Sequence, residues 1–466
     1  TMNTYTQIRF ADGTSCVCMP KDVPDMTQGS EMRHIIMFSL PLLAGNLLQQ
    51  TYNIVDTMVV GRYLGDDALA AVGATGSITY LFYTLCIGLS VGAGIIVAQY
   101  FGAGKKKALR SAVFNSALVT AIFGIVISLL SVPAAKPILE LLKVPNKIIG
   151  DSVAYMQIAC GGTIAVAAYN WINAIMRALG DSKTPLIFLG AASLLNALLD
   201  LLFVVVFKFG IAGAAWATVL TQALSAISCI VYCFAVSGEI KLTADDLHAD
   251  KDMMSRCVKT GVPIAIQNGL ISVSMVALQR VTNGFGETVM AAYTVSMRIE
   301  QFVQQPFSSL NAAVSTFTGQ NIGAGKEKRA QKGLACAIKI SVIFSAVVLV
   351  LFTLFGGAIT SWFVKGKTVI SISAKALIIT SLFYWSLGII HTTRGFLNGA
   401  GDTNYALVNG MAEVICRIGL SLILTRIAFI GYWGIWYTTA ATWFVTAMVS
   451  LIRYKGGKWR LHAIVK

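Results

Sequence analysis

Long apolar runs alternate with short polar links along almost the whole chain. A helix that crosses a bilayer needs about 20 mostly apolar residues. Runs of that length lie near 35–60, 69–98, 111–133, 153–176, 185–207 and 211–237. A second set lies near 257–282, 289–318, 334–358, 370–392, 404–426 and 431–453. The pattern predicts an all-α integral membrane protein with twelve transmembrane helices in two six-helix bundles. The links are built of turn formers, such as Gly180-Asp181-Ser182-Lys183 and Gly399-Ala400-Gly401-Asp402.

The two sets repeat one another. Gly102-Ala103-Gly104-Lys105 recurs as Gly323-Ala324-Gly325-Lys326, 221 residues later (323 − 102). The same shift carries Gln99 to Gln320, Gly65 to Gly286, Gly180-Asp181 to Gly401-Asp402, Gly210 to Gly431 and Thr218 to Thr439. One offset held from early in each half to its end indicates duplication, and a long repeat in an apolar chain is a transporter signature. Six spans per half is even, so both halves enter the membrane in one orientation, with a cleft between them. The expected organisation is a polar extension over 1–30, a first lobe over 31–237 and a linker over 238–255. A second lobe over 256–453 and a basic tail over 454–466 follow.

Composition narrows the class. Hydrophobic residues make up 56% of the chain and charged ones 12%, about half the share of a soluble domain. Mean hydropathy is +0.71. The formal charge of +15 sits in short clusters between spans, which orients helices in a membrane and argues against nucleic-acid binding. Lys105-Lys106-Lys107, Arg110, Arg177, Lys183, Lys326, Lys328, Arg329 and Lys332 fall in even-numbered links, so both termini are expected in the cytoplasm. The nine cysteines show no CxxC pair or metal spacing, and Cys16 and Cys18 are too close for an ordinary bridge. The first 30 residues lack an apolar core, so the first span is expected to act as an uncleaved signal and the segment before it to be a flexible extension. Gly-Ala-Gly-Lys is no phosphate loop: Gln99 and Lys106 stand where glycine and Ser or Thr are required. It reads as a tight turn carrying positive charge.

Two aspartates lie inside spans, where an ionisable residue is costly and marks function. Asp56 in span 1 and Asp200 in span 5 have no Lys or Arg within either span. Asn196 is one turn from Asp200, Tyr52 one turn from Asp56, and Thr218 in span 6 falls at a similar depth. Two facing carboxylates without counter-charge must bind a cation or hold a proton. Oxygen ligands suit Na⁺ or H⁺ and disfavour a transition metal. The plainer alternative is that each Asp caps a backbone break near Pro41 or Gly210. In the second half the shift replaces Asp56 by Ala277, Asp200 by Ser421 and Asn196 by Arg417. That half instead carries Arg298 and Glu300 in span 8 and Glu413 and Arg417 in span 11. The last two are four apart, the spacing of an intramembrane ion pair; the sharper alternative puts Glu300 or Glu413 on the cleft wall. His391, near the inner end of span 10, reads as a helix-end residue.

Several motifs in order resemble the MATE (multidrug and toxic compound extrusion) transporters. They are Pro41 with Gln50-Thr51-Tyr52-Asn53-Ile54-Val55-Asp56, Ala68-Leu69-Ala70-Ala71-Val72, Asn196 with Asp200, Gly213-Ala214-Ala215-Trp216-Ala217-Thr218, and Gly319-Gln320-Asn321-Ile322-Gly323-Ala324. The likeness runs from about 27 to 455. It implies twelve spans, a central cavity, and export of organic molecules coupled to inward Na⁺ or H⁺. Asp56, Asn196, Asp200 and Thr218 match the cation site of the family's DinF-type branch, with Tyr52 and Asn53 beside it and Pro41 where span 1 can bend. Leu201 departs from the proline that relatives often carry after the Asp, which puts the local bend in question.

The expected function is a secondary multidrug antiporter of the cytoplasmic membrane, working as a monomer on small organic substrates, with no cofactor beyond the coupling ion and no enzymatic activity. Its rivals are a flippase or narrow-substrate exporter of related fold, an integral-membrane enzyme using Asp56 and Asp200 as acid and base, and a channel.

Overall fold

In lipid every backbone polar group must be bonded within the protein, so apolar spans this long fold as helices. The computed structural model describes residues 5–9, 15–20, 25–236, 242 and 246–465. In the first half, α1 (Glu31–Leu64), α2 (Asp66–Gly102) and α3 (Lys106–Leu141) are followed by α4 (Ile149–Gly161) and α5 (Thr163–Ala178). Next come α6 (Lys183–Asp200), which runs into a π-helical turn (Leu201–Val206), and α7 (Gly210–Val236). The second half repeats this as α8 (Lys251–Asn283), α9 (Glu287–Gly323), α10 (Glu327–Ser361), α11 (Lys367–Ser381) and α12 (Tyr384–Gly399). It closes with α13 (Asn404–Leu424) and α14 (Gly434–Lys455). Parts of the expected extension (1–4, 10–14, 21–24) and linker (238–241, 243–245), with residues 237 and 466, lie outside the described residues.

Taken with α4–α5 and α11–α12 as single spans, these helices make the twelve spans. Eight single helices and the two bent pairs are apolar enough to cross a membrane on hydropathy alone. The other two are α1 and α9, whose polar residues, Gln49, Gln50, Asn53 and Asp56 in one and Arg298, Glu300 and Gln301 in the other, dilute the apolar signal. Both are long enough to span: 34 and 37 residues reach about 50 Å or more.

Spans 4 and 10 are broken, which the hydropathy pattern does not show. The chain bends by 42° between α4 and α5 and by 50° between α11 and α12. At the first break Gly162 lies against the Val219 side chain so closely that a Cβ would overlap it. The structure also differs from an all-helical expectation in one small respect. Strands Tyr5–Arg9 and Ser15–Pro20 pair antiparallel in the leading segment.

The duplication extends to backbone conformation. Four pairs of glycines 221 residues apart turn the chain through matching left-handed geometry: Gly65 and Gly286 (φ 86° and 85°), Gly104 and Gly325 (66° and 71°), Gly180 and Gly401 (96° and 91°), Gly210 and Gly431 (62° and 54°). L side chains rarely adopt that region, which explains why these turn positions hold glycine in both copies.

The lobes meet where α2 crosses α9. A Cβ on Gly102 would strike the Gln320 carbonyl oxygen, and one on Gly323 would strike that of Gln99. Beside this reciprocal contact, Gln99 Nε2 donates to the Gly399 carbonyl at 2.8 Å and Gln320 Nε2 to that of Ala178 at 2.9 Å. Those two acceptors are also related by the repeat. Each glutamine's oxygen accepts a backbone N–H from a chain end: Met26 on Gln320 at 3.3 Å and Ile464 on Gln99 at 2.8 Å. Composition predicts a flexible extension up to residue 30, but residues 25–30 are held to the fold. Arg329 donates to the carbonyls of Met26, Gln28 and Gly29, and Met26 is buried against Ile35 and Phe38. Trp459 in the tail is 1% exposed and stacks edge-on against Phe396.

Candidate functional site

Asp56 is the eighth residue before the end of α1, about 12 Å from the end opposite the termini. Thr218 is eight residues into α7, at the same depth. Asp200 closes α6 at that level, and the π-turn begins at the next residue. A π-turn widens the helix by one residue and is frequent at functional sites. Leu201 therefore departs from proline without restoring a regular helix: the irregularity beside the acid is present by another means.

These elements bring five of the sequence-selected residues together. The Asp56 and Asp200 side chains are neighbours in this group. Asn196 Nδ2, with its amide oriented to satisfy both ends, donates to Asp200 Oδ2 at 2.7 Å while its oxygen accepts the Thr218 N–H at 3.3 Å. The Tyr52 hydroxyl donates to Thr218 Oγ1 at 3.5 Å. Asp200 and Asn196 are fully buried. One oxygen of each carboxylate, Oδ1 of Asp56 and Oδ1 of Asp200, is buried without a donor. Neighbouring carboxylates repel unless a proton or a cation offsets their charge. Groups of three or more His, Cys, Asp and Glu side chains able to hold a metal are not found among the described residues.

Asp56, Tyr52, Asn53 and Thr218 face a cavity of about 510 Å³. Every lining residue belongs to the first lobe, Pro41 included, and Tyr80, Tyr83, Tyr155 and Tyr169 give it an aromatic wall. Asn196 and Asp200 stand behind Asp56, outside the lining. The opposite end of the cavity holds Arg177, near the end of α5. From the start of α6 to Asp200 the helix rises about 25 Å, so this guanidinium and the acid pair occupy opposite ends. Arg177 also lines a smaller cavity of about 130 Å³ at the seam, with Ser308, Asn311 and Asn398. Sequence reading placed Arg177 among the loop charges. The signal it missed is that Arg177 precedes the turn glycine Gly180 by three residues and so remains within the helix.

The second-lobe charges form a different arrangement. Arg417 Nη2 meets Glu413 Oε1 at 2.7 Å, and Arg394 Nη2 approaches Glu413 Oε2 at 3.6 Å and donates to Asn409 Oδ1 at 2.6 Å. Glu300 is 3% exposed, with Oε1 unpartnered. Arg298 is exposed and stands apart from it. His391 is stacked on Phe307 at 6.3 Å, with its Nδ1 unpartnered.

Set beside known proteins, this geometry has a clear kinship. The MatE family model matches residues 41–202 and 263–423, one segment in each lobe. The chain belongs to the MatE family. Among curated MatE-like relatives, it is 27% identical to "Probable multidrug resistance protein YpnP" of Bacillus subtilis (strain 168), over 94% of this chain and 97% of that one. It is 23% identical to "Probable multidrug resistance protein NorM" of Thermotoga maritima, over 96% of each. Among solved structures, a MOP superfamily transporter from Pyrococcus furiosus superposes with a TM-score of 0.87 at 22% identity, covering 94% of this chain and 98% of that one. This MatE protein is a multi-pass membrane transporter, not an enzyme.

Proposed function

We propose that the protein is a secondary antiporter that exports organic cationic or amphipathic molecules in exchange for H⁺ or Na⁺. One observation carries the reading: a carboxyl pair with no basic partner among the described residues, in which Asp200 is buried and Asp56 opens onto a cavity large enough for an organic molecule. The named relatives, multidrug resistance proteins, support the substrate class. In this reading the termini face the cytoplasm of a cell-membrane protein that works as a monomer, and Asp56, Asp200, Asn196 and Thr218 hold the coupling ion.

The mechanism follows from differential affinity. With neither proton nor Na⁺, the two carboxylates repel and the cavity end near Asp56 carries negative charge that favours a cationic substrate. An arriving ion neutralises the pair, draws Asp56 toward Asp200 and weakens the hold on the substrate. Pro41 lacks the N–H that would bond residue 37, so α1 has a point of compliance. Ion and substrate thus favour different states, which is the requirement for exchange.

The test is ethidium efflux from cells expressing the wild type or Asp56→Asn, with Na⁺ and pH gradients varied separately. Efflux that needs Asp56 and one gradient is the expected result and names the ion; full efflux by Asp56→Asn, with the protein at normal level, overturns the coupling site. Arg177 favours one second reading, a narrow exporter or flippase for a molecule with an anionic head. Under it, well-expressed wild type gives no ethidium efflux, and substitution of Arg177 impairs the native cargo.

A further inference from the structure

The repeat brings matching positions of both lobes to one small enclosure beside the α2–α9 crossing, the seam cavity of about 130 Å³. Ala178, whose carbonyl takes Gln320, belongs to its lining, and Asn398 precedes Gly399, whose carbonyl takes Gln99. Arg177 of α5 and its repeat equivalent, Asn398 of α12, both face the enclosure. Its two long walls differ in character. On α2 the first lobe presents Val91, Gly94, Ile95 and Ala98, all without polar side chains. On α9 the shift carries Gly94 to Ser315 and Ile95 to Thr316, and Ser308 and Asn311 extend the polar wall. Ser308, Asn311 and Ser315 are three and four residues apart, so they share one helical face.

Arg177 reaches this enclosure without a counter-charge. Its guanidinium makes no ion pair or hydrogen bond among the described residues, and no acidic residue among those described lines the cavity. Asp181, one turn further on, accepts the N–H groups of Lys183 and Thr184 in its own turn, each at 3.0 Å. Serine and threonine inside a helix commonly return the hydroxyl to a carbonyl three or four residues back, as Ser309 does to Gln305 at 2.8 Å. Ser308, Ser315 and Thr316 do not, and the side-chain amides of Asn311 and Asn398 likewise make no bond among the described residues. One cation of the first lobe therefore faces five neutral side chains of the second, each able to donate.

We propose that the seam cavity binds a small monovalent anion, held by Arg177 from one lobe and by the α9 and α12 donors from the other. A guanidinium withdrawn from bulk water is costly unless paired, and an anion pairs it through charge-assisted bonds. Hydroxyl and amide groups complete the coordination without adding charge. The cavity is several times the roughly 10–15 Å³ that one water needs, enough for a halide or a carboxylate group. An anion here ties the lobes together beside the crossing, so it favours the arrangement in which α2 and α9 touch. The shared chemistry has two sources, a free halide or the carboxylate of a small organic anion. The inference does not depend on what the first-lobe cavity transports.

Thermal unfolding of the purified full chain in phosphatidylcholine nanodiscs tests it. Bulky sodium gluconate is exchanged for sodium chloride in one arm and sodium acetate in the other, at constant Na⁺ and ionic strength. At least one arm is expected to raise the midpoint of the wild type, with a rise that saturates. A rise with chloride alone names a halide; a rise with acetate names a carboxylate. The rise is expected to vanish in Arg177→Gln. It is expected to fall by at least half in Ser315→Ala/Thr316→Val, which keeps the cation and removes two donors from the opposite wall. That variant carries the test if Arg177→Gln does not fold. The rise is expected to persist in Lys328→Gln/Lys332→Gln, which removes two exposed cations away from the seam. No saturating rise in either arm, or an undiminished rise in the seam variants, overturns the proposal. So does an equal loss in the lysine variant, because the effect is then general surface charge.

Discussion

The two lobes place polar side chains at the same positions and reach opposite electrostatic outcomes. The repeat aligns Thr79 with Glu300, Asn173 with Arg394 and Asn196 with Arg417. In the first lobe these positions are neutral, and Asp56 and Asp200 have no basic contact among the described residues. In the second they are charged, and Glu413 is held between Arg417 and Arg394. A carboxylate already held between two guanidinium groups has little reason to take up a cation, whereas under the proposed function the carboxyl pair of the first lobe takes one up. Duplication supplied the frame twice, and different side chains at matched positions give the two copies different charge.

The comparison breaks most visibly at the acid pair. Asp200→Asn removes the need for an ion, so export is expected to fall at least tenfold while the protein remains in the membrane and unfolds no more readily. Dye efflux alongside a thermal melt checks both parts. The second lobe should answer the other way. Arg417→Met strands Glu413 beside a weaker 3.6 Å contact, and breaking a buried pair costs about 3–5 kcal/mol. Its melt should drop sharply, and adding Glu413→Leu should recover much of the loss.

A smaller effect tests what the lobes share. Gly102→Ala and Gly323→Ala each push a methyl into a backbone carbonyl of the opposing helix; overpacking of this kind costs about 1–3 kcal/mol. The two variants should lose stability to a similar degree, because their surroundings are matched. A large difference would show that the crossing is less symmetric than the backbone. Smallest is Tyr52→Phe. Its bond to Thr218 is long at 3.5 Å, so stability should change by about 1 kcal/mol or less, with the effect read in the ion dependence of efflux.

Much of the architecture was legible because its signals are local. Apolar runs mark spans, and a fixed offset between left-handed glycines marks duplication. The depth of Asp56, Asp200 and Thr218 follows from counting residues to helix ends. What sequence did not disclose depends on three dimensions. A 42° bend at Gly162 leaves hydropathy unchanged, and a π-turn after Asp200 has no proline to announce it. Arg177 looks like a loop cation until α5 is seen to carry it to the cavity. Residues 25–30 look like a polar leader until the carbonyls they offer are matched with Arg329 on the other lobe.

The reciprocal contact of Gly102 and Gly323 gives the molecule a fulcrum. Each of the crossing helices is 37 residues long, about 55 Å, and this backbone contact lies near one end of each. A tilt of about 10° around that point displaces the far ends by about 10 Å, close to the width of one helix. Under the proposed exchange, leverage of this kind would turn a small rearrangement at the acid pair into a doorway without deforming either bundle.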